Sequence, residues 1–166
     1  KKIRNNKEET IIDLKRPVDF IGFQSLMSNS AFQDSAIALE DSGICAISKN
    51  DLLTVIKRNQ DFALKIISDQ AKSLQTVNER LIALTGKNMK SRLCDSLLVI
   101  GEVYGMNNDG TLNAILKRRE IASLSNMTTG NVIRTLSELA KEGLIELINK
   151  EIKLVNVNKV YNLAHS

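Results

Sequence analysis

Lys117-Arg118-Arg119-Glu120-Ile121-Ala122-Ser123-Leu124-Ser125-Asn126-Met127-Thr128-Thr129-Gly130-Asn131-Val132-Ile133-Arg134-Thr135-Leu136 reads as a short helix, a tight turn and a longer helix. Ile121, Ala122 and Leu124 give the first helix its apolar face. Ser125-Asn126 ends it, because short polar side chains compete for backbone hydrogen bonds. Thr128 is placed to cap the second helix by accepting one of its orphan N–H groups. Within that helix Val132, Leu136, Leu139 and Ala140 recur at i, i+4, i+7 and i+8, a single buried stripe. Gly130, Arg134, Glu138 and Lys141 fall on the opposite face. Two helices with so short a join form either an ordinary helical hairpin or a helix-turn-helix, whose second helix enters the DNA major groove.

Charge separates the two readings. Over the chain the net charge is +4, a mild basic bias. Between Lys117 and Arg134, however, Lys117, Arg118, Arg119 and Arg134 face a single acid, Glu120. Positive charge concentrated on the second helix and its lead-in suits a polyanion. Aromatic residues make up only 4% of the 166, which disfavours recognition of single strands by base stacking.

Upstream, Thr10–Leu14 alternates loosely enough for a strand that Pro17 ends. Short apolar runs at Ser35–Leu39 and Ile44–Ile47, separated by Glu40-Asp41-Ser42-Gly43, predict further strands of a β domain too small to close by itself. At Ser48 the period changes, and Leu52, Leu53, Val55 and Ile56 predict a short amphipathic helix. From Asp61 to Thr85 nothing breaks a helix. Leu64, Ile67, Ala71, Leu74, Asn78, Leu81 and Thr85 alternate spacings of four and three along it, a heptad seam with one polar Asn. A monomer-core helix is one explanation. The strict spacing and the mid-seam Asn, which fixes register between paired chains, favour a dimer interface made by Leu64, Ile67, Ala71, Leu74, Asn78 and Leu81.

After Gly86 the pattern predicts a helix over Lys87–Tyr104, a turn at Asn107-Asn108-Asp109-Gly110 and a short strand over Thr111–Leu116. Following the second helix, Glu142-Gly143 is a stop. Leu144–Ile148 and Ile152–Val155, joined by Asn149-Lys150, then make a β-hairpin. Helices followed by such a hairpin form a winged helix, with Lys150 at the wing tip free to meet a phosphate. The two cysteines, Cys45 and Cys94, sit among apolar neighbours and read as reduced core thiols of a cytoplasmic protein. No apolar run reaches membrane-span length and no signal peptide is visible.

Arg119-Glu120-Ile121-Ala122, Thr128, Val132-Ile133-Arg134-Thr135-Leu136 and Glu142-Gly143-Leu144-Ile145 resemble the winged helix of the cyclic-AMP receptor protein and fumarate–nitrate regulator (Crp/Fnr) superfamily of bacterial transcription regulators. The upstream order of turn, loop, strands, short helix and long helix agrees with that family. The resemblance implies an α+β architecture in three parts. Residues 1–60 would be the C-terminal part of a β-roll effector domain like those that bind cyclic nucleotides. Residues 61–85 would be the dimerisation helix, and 86–166 the winged helix-turn-helix. It also implies that about 60–70 residues of β-roll precede Lys1.

Departures from the family pattern fall at the effector pocket, whose positions here are Gly22, Phe23, Asp34, Ser35, Val77 and Asn78. Cyclic-nucleotide-binding members carry a Glu after the turn Gly, an Arg before a Ser-Ala pair and a Thr-Ser pair on the long helix. Here Phe23 follows Gly22, Asp34 precedes Ser35-Ala36, and Val77-Asn78 occupies the helix positions. An aspartate repels a cyclic phosphate that an arginine fork would hold. Cyclic AMP is therefore not the expected effector, which stays unidentified. Nor do two separated cysteines supply the four ligands of an iron–sulfur cluster, and no metal site is expected.

For DNA the expected contacts are Lys117, Arg118, Thr128, Thr129, Asn131, Arg134 and Lys150. Arg134 matches the family's basic residue on the recognition helix, suited to guanine or phosphate. Thr129-Gly130 stands where relatives carry Arg-Glu or Val-Glu, so the operator should differ from the usual half-site. The implied partners are double-stranded DNA, a second copy of the chain and RNA polymerase, with no membrane. The competing reading is a ligand-sensing or protein-interaction module without direct DNA binding. An enzyme is not expected. The one histidine, His165, lies beside the terminus, and no nucleophile-elbow, zinc or phosphate-loop signature occurs.

Overall fold

The computed structural model describes residues 2–3 and 9–165, with the side chains of 10–79, 81–82 and 86–165. The chain divides into two compact units: Lys1–Phe20 with Gly86–Ser166, and Ile21–Thr85. The architecture is helical with small antiparallel sheets, in the α+β class.

In Ile21–Thr85, Gly22 takes a left-handed φ of 76° and starts helix α1 (Phe23–Met27). Helix α2 (Lys49–Arg58) begins where the period changed. The Ser48 hydroxyl accepts the Asp51 N–H at 3.1 Å, and Leu52 is the residue α2 buries. Lys49 also reaches the Asn29 side-chain oxygen. Helix α3 (Gln60–Gly86) then runs 27 residues, about 40 Å at 1.5 Å per residue. All six seam positions from Leu64 to Leu81 are exposed, with Leu64, Ile67 and Leu74 each more than 60% accessible. The seventh, Thr85, lies outside the side chains described.

The strands expected at Ser35–Leu39 and Ile44–Ile47 do not form, and both runs are irregular and solvent-exposed. Alternation fits a chain for pairing, but a strand exists only when a neighbour completes its ladder. No described segment pairs with either run. Cys45 is accordingly exposed, which corrects the expectation of a core thiol; its apolar neighbours Ile44 and Ile47 are exposed with it. Of the first expected strand, Thr10–Leu14, only Thr10 is in a ladder, as the end of β2 (Glu9–Thr10), which pairs antiparallel with β1 (Lys2–Ile3). Residues beyond Thr10 run over the helices of their own unit instead. There the Ile11 N–H donates to the Ser123 hydroxyl at 2.6 Å, and Leu14 packs on the core.

The unit of Lys1–Phe20 with Gly86–Ser166 is built on helix α4 (Met89–Tyr104), which buries Leu93, Cys94, Leu97 and Ile100. Around it lie α5 (Arg118–Leu124), α6 (Thr129–Lys141), the hairpin of β3 (Ile145–Ile148) and β4 (Glu151–Leu154), and α7 (Val157–Ala164). Ile121, Val132, Leu136, Leu139, Ile145 and Val160 complete one close-packed core, each 1% exposed or less. The strand expected over Thr111–Leu116 shrinks to single bridges, Met106 with Leu112 and Thr111 with Lys153. The segment meets β4 through Leu112 N–H to Ile152 O, beside the bond from Leu154 N–H to Gly110 O, each 2.9 Å. Helix α7 was not anticipated. It is capped by Asn156, whose side chain accepts the Lys159 N–H, and it lays Val160 and Ala164 on the core. His165 closes it with its ring stacked 4.1 Å from Tyr161.

Burial pushes the Cys94 thiol up to about 11, with Glu142 adding to the shift. Because the folded chain holds this proton more tightly than the unfolded one, the contribution to stability is intact below 9.0 and is lost as pH rises through about 11. Iodoacetamide at pH 8 is expected to modify one thiol per native chain, at Cys45, and Cys94 only after unfolding. Equal native rates at both cysteines would contradict this packing.

Candidate nucleic-acid interface

The two helices of the quoted stretch are shaped by local hydrogen bonds. At the start of α5, Glu120 accepts the Lys117 backbone N–H at 2.8 Å, half of a capping box. Glu120 thus spends its carboxylate on the helix end. Among the described residues, no ion pair engages the side chains of Lys117, Arg118, Arg119 or Lys150.

The turn is set by Asn126, whose φ of 50° is left-handed, a conformation asparagine tolerates better than most residues. The buried Ser125 hydroxyl donates back to Ile121 O at 2.7 Å and closes α5. A contact from outside the stretch holds this turn: Arg92 of α4 donates from Nη1 to Asn126 O at 3.2 Å. Sequence reading missed Arg92, because its place 34 residues upstream carries no local signal. A lone arginine amid the Leu93–Ile100 apolar pattern was the available hint.

Thr128 caps α6 as expected, its hydroxyl accepting the Asn131 N–H at 3.3 Å. The predicted stripe is inward: Val132, Leu136 and Leu139 are buried and Ala140 is half-buried. Thr129, Gly130 and Arg134 are exposed, and Asn131 is half-buried at the same end. Asn131 does more than line the face. Its Oδ1 accepts from Arg134 Nη2 at 2.7 Å, so the guanidinium leaves the helix in one direction with its other N–H groups outward.

The wing turns at Asn149-Lys150, Asn149 taking a φ of 56°, with Ile148 opposite Glu151. Lys150 is exposed at the tip. One strand back, Lys153 is paired with Glu146 at 3.3 Å. At the far end of α6, Lys90 is bound to Glu142 at 2.5 Å and lies 3.8 Å from Glu138, and this pairing raises its pKa. Acid is thus neutralised at the C-terminal end of α6, while unpaired cation stays with Lys117–Arg119, Arg134 and Lys150. The hairpin base is tied by Asp109, whose carboxylate accepts the Thr111 N–H and hydroxyl, each at 3.0 Å; these bonds hold its pKa down.

The six effector-pocket positions lie on three elements of Ile21–Thr85. Gly22 and Phe23 begin α1, Asp34 and Ser35 lie in the exposed irregular stretch, and Val77 and Asn78 are on exposed turns of α3. Among the described residues no group of three or more His, Cys, Asp or Glu is placed to hold a metal. Among the described residues no helix is long and apolar enough to cross a membrane.

Residues 91–163 match the family of Crp-like helix-turn-helix domains. The chain is 22% identical over 162 residues to a probable transcriptional regulator, flp, of Lacticaseibacillus casei, covering 98% of this chain and 73% of that one. It is 28% identical over 140 residues to the cyclic AMP receptor protein of Thermus thermophilus, covering 84% of this chain but 62% of the relative. In fold it is similar to FixK2 of Bradyrhizobium japonicum, with a TM-score of 0.64 at 22% identity over 70% of this chain and 59% of that one. The chain thus spans about three-fifths to three-quarters of the length of these relatives.

Proposed function

We propose that the chain, whose residues 91–163 match Crp-like helix-turn-helix domains, is a Crp/Fnr-type transcription regulator that docks α6 in the DNA major groove and reads sequence there. The observation that carries the proposal is Arg134, exposed on α6 and held by Asn131, so that it is presented to a base edge before DNA arrives. An ordered arginine loses less freedom on binding than a loose one, and its fork matches the two acceptors of guanine. Thr128 and Thr129 at the helix N-terminus suit the phosphate beside that base. Lys117, Arg118 and Lys150 suit neighbouring phosphates, which position the protein without reading sequence.

The protein acts as a homodimer through α3 in this proposal. Its seam is exposed on one chain, and five apolar positions broken by Asn78 suit a partner helix with the same sequence. Two copies of α6 would then enter major grooves about 34 Å apart on a pseudo-palindrome. Residues 1–60 and 61–85 serve as the sensing and dimerising parts, 86–166 as the output, and RNA polymerase is the further partner of that output. Phe23, Asp34 and Val77-Asn78 disfavour cyclic AMP as effector, whatever the Thermus relative's name says of that protein.

The test is binding of a duplex selected from a randomised pool, measured from 50 to 200 mM salt. The logarithm of affinity should fall linearly with the logarithm of salt concentration, and Lys150→Ala should reduce the slope by about 1 per protomer while leaving sequence preference intact. Cyclic AMP should leave the affinity unchanged. Failure to enrich any sequence would refute the regulator reading, and an unaltered salt slope would remove Lys150 from the interface.

A further inference from the structure

Two residues on α6 have no explanation in folding. Ile133 follows the buried Val132 but lies off the apolar stripe, and it is 51% exposed. A β-branched side chain is a weak choice for an exposed helical position, losing rotamer freedom without the return of burial. Gly130 is the second. A glycine inside a helix costs stability relative to alanine. Yet a Cβ built there would meet nothing within 4 Å, and the residue is not left-handed. Neither packing nor backbone geometry within the chain requires glycine.

The two are neighbours on the surface, at i and i+3, with Arg134 completing the patch at i+4 from Gly130. Ser137, one turn further from Ile133, turns its hydroxyl back to the Ile133 carbonyl at 3.0 Å. The face is therefore an apolar side chain beside a gap, flanked by a directed guanidinium. We propose that Ile133 is a specificity-determining residue that contacts the C5 methyl of a thymine next to the base pair read by Arg134, with Gly130 letting the helix approach that base closely. In the major groove thymine is distinguished from cytosine by this methyl group and by its O4 acceptor, and only the methyl offers an apolar surface. The inference rests on the DNA-binding reading above and adds a second base to it.

The experiment uses the full chain and the duplex enriched from a randomised pool. Deoxyuridine replaces each thymine in turn, removing the methyl group and leaving every hydrogen-bonding group in place. One position per half-site should show about a fourfold loss of affinity, the effect of one buried methyl. Ile133→Ala should bind thymine and deoxyuridine equally at that position while keeping the guanine preference that depends on Arg134. Ile133→Val, which retains a branched apolar surface, should keep part of the discrimination, and circular dichroism should show both variants folded. Overturning results are the absence of any methyl-sensitive position, or methyl sensitivity that persists in Ile133→Ala. Enrichment of no sequence at all would remove the DNA-binding reading and this inference together, whereas enrichment without methyl sensitivity would remove this inference alone.

Discussion

Arg134→Ala is expected to remove most of the sequence-specific binding while leaving the fold untouched. A bidentate arginine–guanine contact is worth about 1–3 kcal/mol, and a dimer makes it twice, so the selected duplex should lose about thirtyfold or more in affinity. The residual affinity should approach that of any duplex, apart from the small thymine preference assigned to Ile133, because Lys117, Arg118 and Lys150 still meet phosphates. Thermal stability should stay within about 0.5 kcal/mol of the parent, since Arg134 is exposed and bonds only to Asn131 among the described residues. Asn131→Ala is the informative companion. It leaves the guanidinium present but free to wander, so it should weaken binding by less than the arginine deletion. Titration of the enriched duplex and a scrambled one by fluorescence anisotropy would show both effects. A specific-to-scrambled ratio unchanged in Arg134→Ala would exclude it as the base-reading residue.

The second large effect is on stability. Gly110 sits at the tight turn before the wing with a φ of 89°, and a Cβ there would lie 2.5 Å from the Leu154 carbonyl oxygen. That oxygen is backbone in β4, and Leu154 N–H is itself bonded to Gly110 O at 2.9 Å, so neither side can withdraw without breaking the pairing. Gly110→Ala is therefore expected to destabilise the unit by about 3 kcal/mol, combining the left-handed penalty with the lost contact. Urea denaturation followed by circular dichroism would measure it, and a change below about 1 kcal/mol would contradict the geometry. Gly130→Ala is the control, since it has open space and helical φ and should be neutral or stabilising.

What could be read in the sequence depended on how local each signal was. The α5–turn–α6 stretch was legible because its stripe, its Thr128 cap and its Ser125-Asn126 break lie within twenty residues. Helix α3 was legible for the same reason, as was the hairpin around Asn149-Lys150. The runs at 35–39 and 44–47 misled because β alternation describes half of a pair. The helix at Val157–Ala164 carried a local signal that was passed over: Asn156 as cap, then Val157, Val160, Leu163 and Ala164 at helical spacing. Within the interface, the Asn131–Arg134 bond follows from i, i+3 spacing and was open to inference. Arg92 at the Asn126 carbonyl was not, because 34 residues separate them and only the packing of α4 brings them together.

The hydrogen bond from Ile11 to Ser123 spans 112 positions, and the whole of Ile21–Thr85 lies between its ends. The unit that carries α5 and α6 is therefore discontinuous along the chain. On the ribosome residue 11 emerges long before its acceptor exists, and the C-terminal helices can collapse on one another through nearby contacts while that closure still waits. The segment around Ile11 and Leu14 is thus the last piece to join its unit, and the first to part from it when the chain is cut between the two units.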